Sequence, residues 1–275
     1  MTVNFTSTHP NNQTTRQPNN QTTNMACILH IETSTDVCSV AVSKDGFLLY
    51  EKEDHSGPNH AERLGTYVDE ALAKVEEKGQ KLEAVAVSSG PGSYTGLRIG
   101  VSMAKGVCYG SDAKLLSVPT LQLLCVPVLL GDGIRCYKYS GGEAEKAEEQ
   151  MEDGDLLCPM IDARRMEVYA AIYDRSLKEV RGQQADIVDA ETYKELLDKH
   201  KVFFFGNGAE KCMEVINHPN ARLVKGIEPL AKNMLPLADM KWNKGQTEDV
   251  AYFVPEYVKD YVAKKSVSKL LTPNK

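Results

Sequence analysis

Between residues 82 and 110 a short apolar run, Leu82-Glu83-Ala84-Val85-Ala86-Val87-Ser88, leads into Gly90-Pro91-Gly92-Ser93-Tyr94-Thr95-Gly96-Leu97-Arg98-Ile99-Gly100. Apolar residues then recur at helical spacing from Leu97 to Tyr109, and Gly110 follows. The first run predicts a buried parallel strand, and the last predicts a helix that stops at Gly110. A glycine-rich turn that joins a strand end to a helix start is a unit of an α/β layer. Glycine and proline here let the backbone turn sharply, and the turn leaves amides free at the positive end of the helix dipole. Two readings stay open. The turn can cradle a phosphate, or it can be a tight crossover that lets the helix pack close to the sheet. Its Gly-x-Gly-x-x-x-Gly spacing is neither the dinucleotide fingerprint nor the Gly-Lys-Ser/Thr phosphate loop.

The flanking sequence extends the same architecture. Ile28 to Ile31, Val37 to Val42 and Phe47 to Glu51 read as three strands of an antiparallel meander, with Lys44-Asp45-Gly46 as the second turn. Asn59 to Lys78 reads as a helix capped by Asn59 with Glu62 reaching back, preceded by Pro58 and ended by Gly79. Leu115 to Val118 gives a further strand, so the order from Met25 is β-β-β-α-β-α-β in a mixed sheet. After Pro119 a helix is expected from Thr120 to Leu130, then strands at Leu156 to Ile161 and Met166 to Tyr173. A helix from Ala190 to His200, a strand from Val202 to Phe205 and a helix beginning near Ala209 complete what looks like a smaller, degenerate copy of the first half. The expected division is a tail at 1–24, a first α/β lobe at 25–120 and a second at 121–275, whose C-terminal segment packs back on lobe one.

Composition bounds the function classes. No apolar stretch approaches the roughly 20 residues of a membrane span. Residues 1–24 hold a polar Pro-Asn-Asn-Gln-Thr-Thr repeat, so the expectation is a start at Met25, with the tail either never made or disordered. The seven cysteines form no Cys-x-x-Cys pair, which fits a reducing cytosol without a disulfide framework or zinc site. The net charge of −6 resides in seven acids and one base between Glu143 and Asp155, expected as a solvated insertion at about 140–155. Lysines 259, 264, 265, 269 and 275 make the end basic; a body that is otherwise neutral does not bind nucleic acid strongly by itself.

Five blocks in order carry a resemblance: Ile31 to Ala41, Gly90 to Gly100, Ile161-Asp162-Ala163-Arg164-Arg165-Met166-Glu167-Val168-Tyr169, Asn233 to Ala238, and Val254-Pro255-Glu256-Tyr257-Val258. Together they resemble the bacterial TsaB family from Cys27 to about Lys265. The resemblance implies a two-lobed actin/sugar-kinase/Hsp70-like fold with mixed sheets flanked by helices. It also implies a cytoplasmic, non-catalytic subunit of the complex that places a threonylcarbamoyl group on N6 of the adenosine beside the tRNA anticodon. The implied partners are TsaD, which holds the metal, and the ATPase TsaE, with TsaC supplying threonylcarbamoyl-adenylate. The resemblance further implies a homodimer when the chain is alone, with tRNA met only through the complex.

The residues agree with a non-catalytic part. The transferase subunit carries a His-x-x-x-His metal pair on the helix after the strand equivalent to Leu115–Val118, where this chain reads Pro119-Thr120-Leu121-Gln122-Leu123-Leu124-Cys125. No His-Glu-x-x-His and no Gly-x-Ser-x-Gly occurs, which argues against a metallopeptidase and a serine hydrolase. Glu32, Thr33, Ser34 and Thr35 in the first hairpin, with Gly92, Ser93 and Arg98, are candidates for phosphate contact; hydroxyl-rich turns also simply satisfy themselves. In the family the two helices of lobe one build the interface with TsaD, so Leu64, Tyr67, Val68, Leu72, Ile99 and Met103 are the contact candidates, against a role as core. Asp162 and Arg164 are expected to form a salt bridge that fixes their turn. The alternative function is a small-molecule kinase of the same fold, with Asp162 as base.

Overall fold

Alternating apolar positions between tight turns produce the first sheet. The computed structural model describes residues 26–57, 59–131, 133–140 and 143–259. The expected tail at 1–24, Met25, Pro58, Gly141–Gly142 and the lysines at 264, 265, 269 and 275 lie outside the described residues. Strands β1 (Cys27–Glu32), β2 (Cys38–Lys44) and β3 (Phe47–Asp54) form the antiparallel meander. Asp45 (φ 56°) and Gly46 (φ 80°) both take left-handed backbone, which suits a two-residue hairpin. Strands β4 (Ala84–Gly90) and β5 (Lys114–Pro119) add in parallel, in the order β3-β2-β1-β4-β5.

Two helices cover one face of this sheet. Helix α1 (His60–Glu77) ends as expected at Gly79, which takes φ +61°. Its start differs: the Asn59 side chain caps no amide and instead reaches Ser56 Oγ at 3.4 Å, while the Asn59 carbonyl accepts from Glu62 and Arg63 at 3.1 Å. Helix α2 (Tyr94–Ser111) begins three residues before the expected Leu97, because the Ser93 hydroxyl accepts the Gly96 amide at 3.2 Å. Its end is at Asp112, in left-handed backbone (φ 57°), and Gly110 stays helical.

Helix α3 (Thr120–Leu130) is apolar on every side and lies buried between the two sheets. Beyond it, β6 (Ile134–Ser140) and β7 (Glu143–Glu149) form a hairpin, so the acidic run is largely a strand rather than a loop. It is held there because β6 pairs with β12 and Glu149 binds Arg222 at 2.8 Å, Lys138 at 2.9 Å and Lys201 at 3.2 Å.

The second sheet repeats the first. Strands β8 (Leu156–Asp162), β9 (Glu167–Asp174) and β10 (Glu179–Ile187) form a meander, and β11 (Val202–Phe205) and β12 (Ala221–Val224) add in parallel to β8. The order β10-β9-β8-β11-β12 matches β3-β2-β1-β4-β5, with the β6–β7 hairpin added beyond β12. The expected helix over 190–200 shrinks to α4 (Lys194–Leu197). Asp189 and Thr192 side chains take the backbone amides of Glu191 and Asp189 at 2.9 Å, which favours a turn over helix there. After α5 (Ala209–Cys212) and a 3-10 turn (Ala231–Met234), α6 (Leu235–Asn243) packs on β5 of lobe one. The Glu248 amide then reaches Leu115 O at 2.8 Å.

Candidate functional site

Two concavities flank the glycine turn. One is an interlobe cleft of about 770 Å³, walled by Ser34, Thr35 and Ser93 on lobe one and by Asp162, Arg164 and Asn207 on lobe two. Glu32 ends β1 beneath this cleft and is fully buried. Its carboxylate accepts the Ser34 amide at 2.6 Å and the Ser88 hydroxyl. Burial pushes its pKa up to about 7, against the opposing pull of hydrogen bonds from Ser34 and Thr33. Thr33 Oγ1 donates to Gly96 O at 2.8 Å, and the Ser93 amide donates to Ser34 O at 2.7 Å.

The glycines are matched to that turn. A Cβ on Gly92 would collide with Ser34 O, one on Gly96 with Thr33 O and one on Gly100 with Thr33 Oγ1. Helix α2 therefore packs against the β1–β2 turn at a distance only glycine allows, and the turn's Ser34 and Ser93 amides are spent inside the protein. The structure brings Glu32, Thr33, Ser34, Thr35, Gly92 and Ser93 together, and Thr35 O also accepts from buried His60 Nε2 at 2.8 Å. Arg98 stands apart on the exposed side of α2, stacked 5.4 Å over the Tyr94 ring.

On the facing lobe the expected Asp162–Arg164 salt bridge is replaced by another arrangement. Asp162 pairs with Lys211, and only the Arg164 backbone amide reaches its carboxylate, at 3.0 Å. Arg164 and Arg165 both have positive φ, 73° and 52°, so the tight turn presents amide rather than guanidinium to the acid. Among the described residues no three His, Cys, Asp or Glu side chains converge as a metal site. Buried His30 is bonded to Ser43 Oγ at 2.8 Å, and desolvation lowers its pKa to about 3.

The second concavity is an apolar groove of about 730 Å³ between α1 and α2. Of the contact candidates, Leu72, Ile99 and Met103 line it and are half-buried, and Val68 forms its floor. Leu64 and Tyr67 do not reach it; at 1% and 8% exposure they face the sheet and belong to the lobe-one core. The groove also takes in Gly106, one of the small residues expected to let a partner helix approach, and Asp69, Tyr94 and Val107, which sequence reasoning passed over. The signal was present, since Ile99, Met103, Gly106 and Val107 follow the i, i+4, i+7, i+8 rule of one helical stripe.

A family model described as "TsaD: tRNA N6-adenosine threonylcarbamoyltransferase" matches residues 54–146. The TsaB protein of Escherichia coli K12, a tRNA threonylcarbamoyladenosine biosynthesis protein, is 27% identical over 251 residues, covering 87% of this chain and 97% of that protein. Bacillus subtilis TsaB is 30% identical over 146 residues, 53% of this chain and 54% of that one. A Staphylococcus aureus tRNA N6-adenosine threonylcarbamoyltransferase is 28% identical over 244 residues, 75% of this chain and 68% of that one. Among solved structures, a Pseudomonas aeruginosa protein described as similar to peptidase YeaZ superposes with a TM-score of 0.67 at 23% identity, over 86% of this chain and all of that one. The two mixed sheets flanked by helices share the fold of the Pseudomonas aeruginosa YeaZ structures.

Proposed function

We propose, from its likeness to TsaB proteins of tRNA threonylcarbamoyladenosine biosynthesis, that the chain is a TsaB-type protein, the cytoplasmic, non-catalytic subunit of the transfer complex. In this reading it binds TsaD through the α1–α2 groove, holds TsaD in an active state and lets TsaE dock. The observation that carries it is the groove itself, an apolar surface on two long helices that lobe one leaves uncovered. Leu72, Ile99, Met103 and Val68 supply the contact, and the small Gly106 lets a partner helix approach. Activation follows only if TsaD's active state binds this groove better than its inactive state. A homodimer through the same groove is the expected form without TsaD, and tRNA is reached through the complex.

The helix that would present a metal pair reads Thr120-Leu121-Gln122-Leu123-Leu124 and is buried between the sheets, which supports an accessory rather than a transferase role. Nucleotide contact by Glu32, Thr33, Ser34, Thr35, Gly92, Ser93 and Arg98 has less support. Thr33 Oγ1 and the Glu32 carboxylate are taken up by bonds within the turn, and Arg98 lies on the groove side. The kinase alternative is not favoured, because Asp162, its intended base, is paired with Lys211.

The test is reconstitution of tRNA modification from TsaC, TsaD, TsaE and ATP, with and without this chain, beside Leu72→Asp and Met103→Asp. Loss of modification without the chain, and at least a tenfold loss with either folded variant, is expected, as for a hot-spot residue at an interface. Full modification without the chain would refute the accessory role. Full modification with both variants would refute the groove.

A further inference from the structure

The segment after α6 crosses from one lobe to the other within a few residues. Phe253 packs on the lobe-one core, and Lys105 Nζ donates to the carbonyls of Ala251 and Phe253 at 3.1 and 2.9 Å. The Glu256 amide donates to Ser89 O at 2.7 Å, and its carbonyl lies over Gly90, where a Cβ would collide with it. Tyr257 rests on Tyr94 with ring centroids 4.8 Å apart. From the same stretch, Glu256 Oε2 accepts from Gln183 Nε2 of β10 at 3.0 Å, and Lys259 pairs with Glu167 of β9. Tyr94 itself lines both the cleft and the end of the α1–α2 groove.

We propose that residues 253–259 are a latch between the lobes, held to lobe two by Gln183 and Glu167, whose lobe-one end fixes Tyr94 and so couples lobe closure to the shape of the groove. The latch is peripheral: among the described residues its side-chain bonds to lobe two are one hydrogen bond and one ion pair at the surface. Such contacts are individually weak, so their loss shifts the closed–open balance by roughly tenfold without threatening the fold. Each lobe keeps its own core under α1 and α2 or beside α4 and α5, and both pack on a shared core around α3, so a loosened latch lets the lobes rock about α3 rather than separate. The coupling is reciprocal: whatever seats against Tyr94 must favour one setting of the lobes. This concerns the groove assigned above to TsaD, but its test needs no partner.

The seven native cysteines are all buried, so spin labels can be confined to cysteines introduced at the exposed positions Lys81 on lobe one and Glu214 on lobe two. Pulsed dipolar spectroscopy of the full chain is expected to give one narrow distance. Gln183→Ala with Lys259→Ala, which touches neither core nor groove, is expected to add a longer population and to raise deuterium exchange of the amides at 92–98 at least fivefold. Tyr257→Ala, cutting the other end, is expected to do the same. An unchanged distance distribution in both folded variants would overturn the latch. A broadened distribution with unchanged exchange at 92–98 would overturn its coupling to Tyr94. If the variants show these effects but TsaD never binds the wild-type chain, the function proposed above fails and the latch stands.

Discussion

Burial takes the Glu32 carboxyl fully out of water and raises its pKa to about 7, so the folded chain holds a proton there that the unfolded chain releases near the ordinary Glu pKa of about 4.3. In that window the native state binds more protons than the unfolded one, so the Glu32 contribution to stability declines as pH rises from about 4.3 through 7. Glu32→Gln keeps an acceptor for the Ser34 amide and removes the titration. The melting temperature of the wild type relative to this variant is therefore expected to fall between pH 5 and pH 8; a constant difference would refute the assignment. The same scale separates Leu64 from Leu72. Both sit on the apolar stripe of one helix, yet Leu64 is core and Leu72 lines the groove. Helical periodicity locates the stripe but not the line along it where the sheet stops covering it. That line depends on where α2 lies, and Gly92, Gly96 and Gly100 place α2 against the β1–β2 turn.

At the scale of elements, α2 contains glycines of opposite meaning. A methyl group at Gly100 would strike Thr33 Oγ1, whereas one at Gly106 meets nothing within 4 Å. Gly100→Ala is expected to cost about 1–3 kcal/mol by overpacking, and Gly106→Ala to gain about 0.5–1 kcal/mol by helix propensity. Urea denaturation of the pair checks both signs. Strongly periodic or continuous apolar segments such as α1, β4, α2 and α3 were legible in the sequence, and so was the packing alternative for the glycine turn. Strands β6, β7, β10 and β12 were not. Strand β10 alternates polar and apolar residues around Gly182 at a sheet edge, and β7 is acidic, so tertiary pairing rather than local propensity makes each a strand. Glu149 supplies much of that pairing. Desolvation would raise its pKa, but hydrogen bonds from Lys138, Arg222 and Lys201 prevail and hold it at about 2. Glu149→Ala leaves the largely buried Arg222 side chain without its carboxylate, and a loss of about 2–3 kcal/mol is expected in chemical denaturation. A loss below 0.5 kcal/mol would mean that the β6–β12 pairing alone anchors the hairpin.

Across the whole molecule, one five-strand pattern occurs twice, and α3 fills the space between the copies. The repetition was faintly visible in the alternation of elements, but the matching strand order required β10 and β12, which carry weak signals. Nor could the cleft be read from the chain, because it is closed by contacts between residues far apart in sequence, such as Gln183 with Glu256. Two open sheets also leave outer strands with unpaired backbone, a standing invitation to edge-to-edge joining between molecules. At β7 the exposed Glu145 and Glu148 repel a second copy of the same edge. At β3, Phe47 is 75% exposed and Leu48 and Leu49 follow it beside the hairpin turn, with no charge among them. Of these two edges, Phe47–Leu49 is the one open to strand-to-strand joining, while the acidic run works as a guard rail for the opposite lobe.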